Sequence, residues 1–133
     1  METTGIDHVN LRFPKDRLDE VITFYIDTLG FSTGFENPHE AVKDDPGLFS
    51  IDLGNGSRLF VNPSDSFDPS ADNYRHVALR IPMSPEGLLS KLENESVPIS
   101  NTAERSNESV GDYTSYYISD PFGYTVELMA IGN

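Results

Sequence analysis

The chain contains no cysteine and no tryptophan, and only nine of its 133 residues are lysine or arginine. Without cysteine neither a disulfide framework nor a thiolate metal site can form. Any metal would have to be held by histidine and carboxylate. The scarcity of basic residues is set against 22 acidic ones, giving a formal charge of −13 and a pI near 4.3. Nucleic-acid binding needs a basic footprint, so it is disfavoured. A charge this far from zero repels itself, a property that halophilic proteins exploit, and the three lysines among so many surface acids suggest a high-salt cytoplasm. No apolar run approaches the roughly 18 residues of a membrane span. The opening Met-Glu-Thr-Thr-Gly has neither a basic start nor an apolar core, so no secretory signal is read there and a cytoplasmic location is expected.

What is present is a repeat. His-Val-Asn-Leu-Arg-Phe-Pro, from His8 to Pro14, returns as His-Val-Ala-Leu-Arg-Ile-Pro, from His76 to Pro82, identical at five of seven positions. The spacing is half the chain, so the sequence reads as one domain, 1–133, built of two similar modules. Module one covers about 1–63, a linker rich in Ser, Asp and Pro about 63–73, and module two about 74–133.

In chain order, Ile6 to Phe13 alternates apolar and polar, which predicts a strand with His8, Asn10 and Arg12 on one face and Val9, Leu11 and Phe13 on the other. Leu18, Val21, Ile22, Tyr25, Ile26 and Leu29 recur at helical spacing, and Gly30 supplies the stop. Phe31 to Glu36 reads as a short strand and Asn37 to Pro46 as a polar loop. Gly47 to Leu53 and Ser57 to Val61 read as a hairpin about Gly54-Asn55-Gly56, with Arg58, Phe60 and Asn62 on one face. In module two, Tyr74 to Ile81 is the first strand, and Ser84-Pro85-Glu86 opens a helix whose buried stripe is Leu88, Leu89 and Leu92. Val97 to Ala103 reads as a strand and Glu104 to Asp112 as a loop. Tyr113 to Ser119 and Tyr124 to Ile131 form the closing hairpin about Asp120-Pro121-Phe122-Gly123. The fold class is α+β: two βαβββ modules forming curved mixed sheets around a concave site.

A histidine heading each module, Phe24-Tyr25-(x)3-Leu29-Gly30-Phe31, and Asp120-Pro121-(x)-Gly123-(x)3-Glu127-Leu128 together resemble the vicinal oxygen chelate superfamily. That family includes glyoxalase I, extradiol dioxygenases, fosfomycin-resistance transferases, methylmalonyl-CoA epimerase and bleomycin-resistance proteins. The resemblance implies three metal ligands, His8, His76 and Glu127. Strand parity independently puts all three on the faces turned away from the helices. Two imidazoles and one carboxylate suit a divalent metal, Fe(II) above all, with Mn(II) and Zn(II) as alternatives. The two hairpins align with Phe60 at the position of Glu127. Phe60 therefore stands where glyoxalase I and the epimerase carry a fourth ligand, leaving the three-ligand set of the dioxygenases and fosfomycin enzymes.

Tyr117 is the acid–base candidate, since Tyr117-(x)2-Asp120-Pro121 resembles the tail of the extradiol signature, although Ser106 to Asp112 lacks that signature's upstream histidine. Asn10, Arg12, Arg58, Phe60 and Arg80 share the ligand faces and are read as substrate-binding. Their arginines either serve an anionic small-molecule substrate or pair with internal carboxylates. His39 is read as a surface residue. Three functions stay open: a metal-dependent enzyme, dioxygenase-like or glyoxalase-like, on a molecule that chelates through neighbouring oxygens; a fosfomycin-resistance-type transferase on a small anion; and a metal-free, bleomycin-resistance-like binder. The resemblance also implies a homodimer.

Overall fold

Period-two alternation in His8–Pro14 (β1) buries Leu11 and Phe13 and leaves His8, Asn10 and Arg12 exposed. The computed structural model describes residues 2, 8–46, 49–68, 76–107 and 110–133. The chain divides into two compact units, Met1–Asp68 and Pro69–Asn133.

In the first unit β1 pairs in parallel with β3 (Ser57–Ser64), and β2 (Ser50–Gly54) pairs antiparallel with β3, giving the order β1-β3-β2. Parallel neighbours need a crossover, which the helical run after β1 begins. A 3-10 turn, Lys15–Arg17, leads into α1 (Leu18–Ile22), which continues as π-helical turns over Thr23–Thr28. Leu18, Val21, Ile22, Tyr25 and Leu29 are its buried stripe, as the spacing predicts, while Ile26 is only half-buried. Gly30, at φ 78°, ends it, and its N–H donates to the Ile26 carbonyl at 3.0 Å.

Two expectations are corrected here. Phe31 to Glu36 forms no strand; Ser32 makes a single bridge to Asp52, and the Thr33 hydroxyl donates to the Ser50 carbonyl at 2.9 Å. The segment 37–46 is not a loop throughout, because Pro38–Asp44 is a helix (α2) with Pro38 in its first turn and Val42 fully buried. Its polar side explains the misreading. The His39 ring contacts Asp19 through Nδ1 at 3.0 Å and Asp27 through Nε2 at 2.8 Å, and Lys43 pairs with Asp19 at 2.7 Å.

The second unit has the order β4-β7-β6-β5, with β4 (Val77–Ile81) parallel to β7 (Thr125–Ala130), and β6 (Gly111–Ser119) antiparallel to both β7 and β5 (Asn101–Asn107). Helix α3 (Pro85–Asn94) starts as predicted: the Ser84 hydroxyl accepts from the Gly87 N–H at 3.0 Å. Leu88 and Leu92 are buried, while Leu89 is half-buried. The Tyr116 hydroxyl donates to the Pro85 carbonyl, so the Tyr116, Ile118, Val126 and Leu128 face of the sheet is the one that α3 covers. The predicted loop 104–112 and strand 97–103 are both corrected, since β5 runs from Asn101 to Asn107 and β6 begins at Gly111. Asp120 folds the closing turn by accepting the Phe122 and Tyr124 N–H groups, each at 2.9 Å, with Gly123 at φ 91°. Beyond β7, Gly132 donates to the Met83 carbonyl so closely that a Cβ there would stand 2.7 Å from the Met83 backbone.

Predicted strand residues Ile6, Asp7, Tyr74 and Arg75, and much of the predicted linker, lie outside the described residues. Among the described residues, no helix is long and apolar enough to cross a membrane.

A doubly bonded His39 must be an imidazolium to donate at both nitrogens. The Asp27 and then the Asp19 carboxylates hold its pKa above the ordinary histidine value. A raised folded-state pKa stabilises below the unfolded value and loses that contribution as pH rises through the folded one. Unfolding free energy, measured by urea titration from about pH 6 to about pH 9, should therefore decline more steeply in the wild type than in His39→Asn. The difference should be small, because the ring is half-exposed and solvent screens the pairs.

Candidate functional site

Strand register sorts the second sheet into two faces. Ala78 stands opposite Glu127, which stands opposite Tyr117, which in turn stands opposite Asn101. In the next row Arg80, Met129, Ser115 and Ala103 align in the same way. This face lies away from α3, since Tyr116 and its row-mates on the other face meet the helix. His76 immediately precedes β4 and has the parity of Ala78.

At the centre of this face is Glu127, a carboxylate only 7% exposed. Its Oε1 accepts the Ser115 hydroxyl at 2.7 Å and the Tyr117 hydroxyl at 2.9 Å. Its Oε2 meets His76 Nε2 at 3.2 Å. The Tyr117 ring stands edge-on to the His76 ring at 5.8 Å between centroids. Burial is the main cause that raises the Tyr117 phenol pKa, the Glu127 hydrogen bond adds to it, and the Arg105 guanidinium beside the hydroxyl opposes it. Net, the phenol keeps its proton at neutral pH and acts as a donor.

The first unit repeats the register with different chemistry. His8 stands opposite Arg58, Asn10 opposite Phe60, and Arg12 opposite Asn62. Phe60 thus holds toward β1 the position that Glu127 holds toward β4, as the hairpin alignment predicts. Its ring meets the His8 ring edge-on at 5.0 Å, and the Arg58 guanidinium lies 5.0 Å above the Phe60 ring centroid. Where one unit offers His76 a carboxylate, the other offers His8 an aromatic edge.

Of the sequence-predicted residues, His76, Glu127 and Tyr117 are therefore in contact within the second unit. His8, Arg58 and Phe60 are in contact within the first, with Asn10 and Arg12 beside them on β1. Arg80 is exposed on β4 beyond Ala78. Arg58 and Arg80 form no ion pair with any described carboxylate. The sequence alone does not single out Ser115, and it gives Arg105 only as the one basic residue of a loop. Ser115 lies two residues before Tyr117, so strand parity pointed to it, whereas Arg105 had been read as part of a loop.

Among the described residues, no group of three or more His, Cys, Asp or Glu side chains is placed to hold a metal ion. The pair His76–Glu127 still fits two ligands of one ion. Donors about 2.1 Å from a common metal stand about 3.0 Å apart at a right angle and about 3.4 Å apart at a tetrahedral one, and the observed 3.2 Å lies in that range. Carboxylate ligands are characteristically held by hydrogen bonds on their other oxygen, as Oε1 is here.

Residues 5–128 match the model of the Glyoxalase/Bleomycin resistance protein/Dioxygenase superfamily, and the chain belongs to it. The fold is shared with a glyoxalase family protein from Bacillus anthracis at 21% identity and TM-score 0.70, covering 98% of each chain. An integron cassette protein from V. Cholerae is similar at 20% identity and TM-score 0.69, covering 98% of this chain and 97% of that one. A glyoxalase/dioxygenase from Nostoc punctiforme is similar at 14% identity and TM-score 0.69, covering 98% and 92%. No curated protein matches the sequence.

The network around Glu127 predicts a stability cost. Ser115→Ala removes one donor from a buried carboxylate, and urea unfolding should show a loss of about 1–3 kcal/mol. A loss near zero would mean that the hydroxyl contributes nothing to holding Glu127.

Proposed function

We propose that the protein is a metal-dependent enzyme, dioxygenase-like or glyoxalase-like, acting on a small molecule that chelates through neighbouring oxygens, with His8, His76 and Glu127 as the metal ligands. The observation that carries this reading is the pairing of His76 Nε2 with Glu127 Oε2 while Oε1 is occupied by two hydroxyl donors. A carboxylate fixed in this way keeps one oxygen aimed at the imidazole without choosing a new rotamer, which is the preorganisation a ligand pair requires. With an ion such as Fe(II) bound, two neighbouring oxygens of a small molecule can be polarised together by Lewis-acid chemistry. Ser115 and Tyr117 together hold the Glu127 carboxylate in orientation, and in the reaction the Tyr117 hydroxyl would turn its proton from Oε1 to a developing oxyanion. Phe60 supplies an apolar wall beside His8 in place of a further ligand. The family includes proteins that are not enzymes, so the contrasting reading is a metal-free binder on the same fold.

The test is metal content by plasma mass spectrometry on protein purified without chelator. About one divalent ion per chain in the wild type, lost in His76→Ala and in Glu127→Gln, is the expected result. No metal, even after reloading with Fe(II), Mn(II) or Zn(II), would refute the ligand set and favour the binder.

We also infer that the protein acts as a homodimer. The support is the exposure of His8, Asn10, Arg12, Ala78 and Arg80 on faces bordered by β1 and β4, each an outer strand of its sheet. Light scattering at high salt should give twice the 14.8 kDa chain mass; a monomer mass would rule this out.

A further inference from the structure

We propose that Arg105 selects the charge of the substrate, receiving a carboxylate, phosphonate or phosphate group on the molecule served by the His76–Glu127 pair. The inference rests on the metal-dependent reading above and adds the chemical class of the substrate.

Register places Arg105 opposite Tyr113 on the open face of the second sheet. Ala103 and Ser115, paired with each other, lie between Arg105 and the row of Tyr117. Both are small, so a long side chain from β5 can lean over them toward the Tyr117 hydroxyl, and the Arg105 guanidinium does lie beside that hydroxyl. The donor arithmetic leaves capacity to spare. The hydroxyl gives its one proton to Glu127 Oε1, and the guanidinium beside it has five N–H donors in a planar fork. At most part of that fork is used by Tyr117.

Among the described residues the fork is also uncompensated. Arg105 pairs with no described carboxylate, in a chain with 22 acidic residues against nine basic ones. Edge strands often carry charge to prevent association, but Glu104, on the opposite face of the same strand, already supplies that. A cation kept beside the Tyr117 hydroxyl, without pairing to any described carboxylate, is placed for an incoming oxyanion. Arginine matches such a group in a bidentate way. Arg80, in the Ala103–Ser115 row at the other edge of the sheet, adds a second cation to the same face.

The experiment compares wild type, Arg105→Gln and Arg105→Lys, each loaded with Mn(II), its metal counted, and titrated calorimetrically with oxalate and with catechol. Oxalate is a dianion with neighbouring oxygens; catechol presents neighbouring oxygens without charge. The expected result is equal metal content, oxalate binding weakened about tenfold or more in Arg105→Gln and less in Arg105→Lys, and catechol binding changed by less than about twofold. Unchanged oxalate binding, or an equal loss for both ligands, would overturn the inference, the second outcome indicating that Arg105 acts only by supporting Tyr117. Should the wild type take up no metal, the functional reading fails, and inorganic phosphate titrated into the metal-free chain decides Arg105 alone. Phosphate-dependent NMR shifts present in wild type and lost in Arg105→Gln would sustain anion recognition; shifts retained in the variant, or absent from both, would refute it.

Discussion

A carboxylate that is almost fully buried must be hydrogen-bonded or paired, because leaving it bare in a low-dielectric setting costs several kcal/mol. Glu127 meets that requirement with three partners drawn from two neighbouring strand segments: Ser115 and Tyr117 on β6, and His76 at the head of β4. The condition reaches well beyond one side chain. It needs β7 in the centre of its sheet, parallel to β4 and antiparallel to β6, in the observed register and no other. A slip of one residue would turn Glu127 toward α3, into Tyr116, Ile118 and Leu88. The Asp120 turn and the close Gly132–Met83 contact hold the two ends of β7 in that register.

The repeat makes this dependence visible by offering a second copy in which the condition is absent. β1 and β3 pair in the same sense and register as β4 and β7, yet Phe60 replaces the carboxylate. With no buried charge among its described residues, the first unit has a cation–π contact and an edge-on histidine in place of a hydroxyl network. One backbone plan supports either a polar, ligand-like pair or an aromatic wall. The difference between the modules therefore lies in side-chain chemistry rather than in the fold, as expected where function is grafted onto a shared scaffold.

The readily legible parts were those whose signals are local. β1 and β4 showed period two, α3 its Ser-Pro-Glu start, and the hairpins their glycine turns. The grouping of His76, Tyr117 and Glu127 followed from parity together with family resemblance. What failed depended on tertiary partners. Asn101–Asn107 has a single apolar residue, Ala103, and reads as a loop; pairing with β6 makes it a strand. Pro38–Asp44 buries one valine fully and otherwise meets α1 through His39 and Lys43, so its helical period was too short to register. Misplacing β5 also concealed Arg105, because its neighbour across the sheet could not be known without the register. Ser115, by contrast, was within reach of the parity argument already applied to Tyr117.

Charge is divided between the sides of each sheet in a way that composition alone does not disclose. In the first unit, Arg17 pairs with Glu20 and Lys43 with Asp19, all on or beside the helices. Three arginines on the open faces behave differently: Arg58 lies over an aromatic ring, Arg105 lies beside a phenol, and Arg80 has no described carboxylate. In a chain so rich in acid, an arginine meets a carboxylate unless the surrounding residues are chosen to withhold one. The strand positions around Arg80 and Arg105 are Ala78, Ala103, Ser115, Tyr113 and Met129, none of them acidic. Glu127 is the one acid among the described strand residues of that face, and its oxygens are already engaged by hydroxyls and an imidazole. The chain as a whole is strongly negative, while this face keeps cations that no described carboxylate neutralises. Such a separation costs stability through unrelieved repulsion among the acids elsewhere, and it is sustained where a site must attract an anion that the rest of the molecule repels.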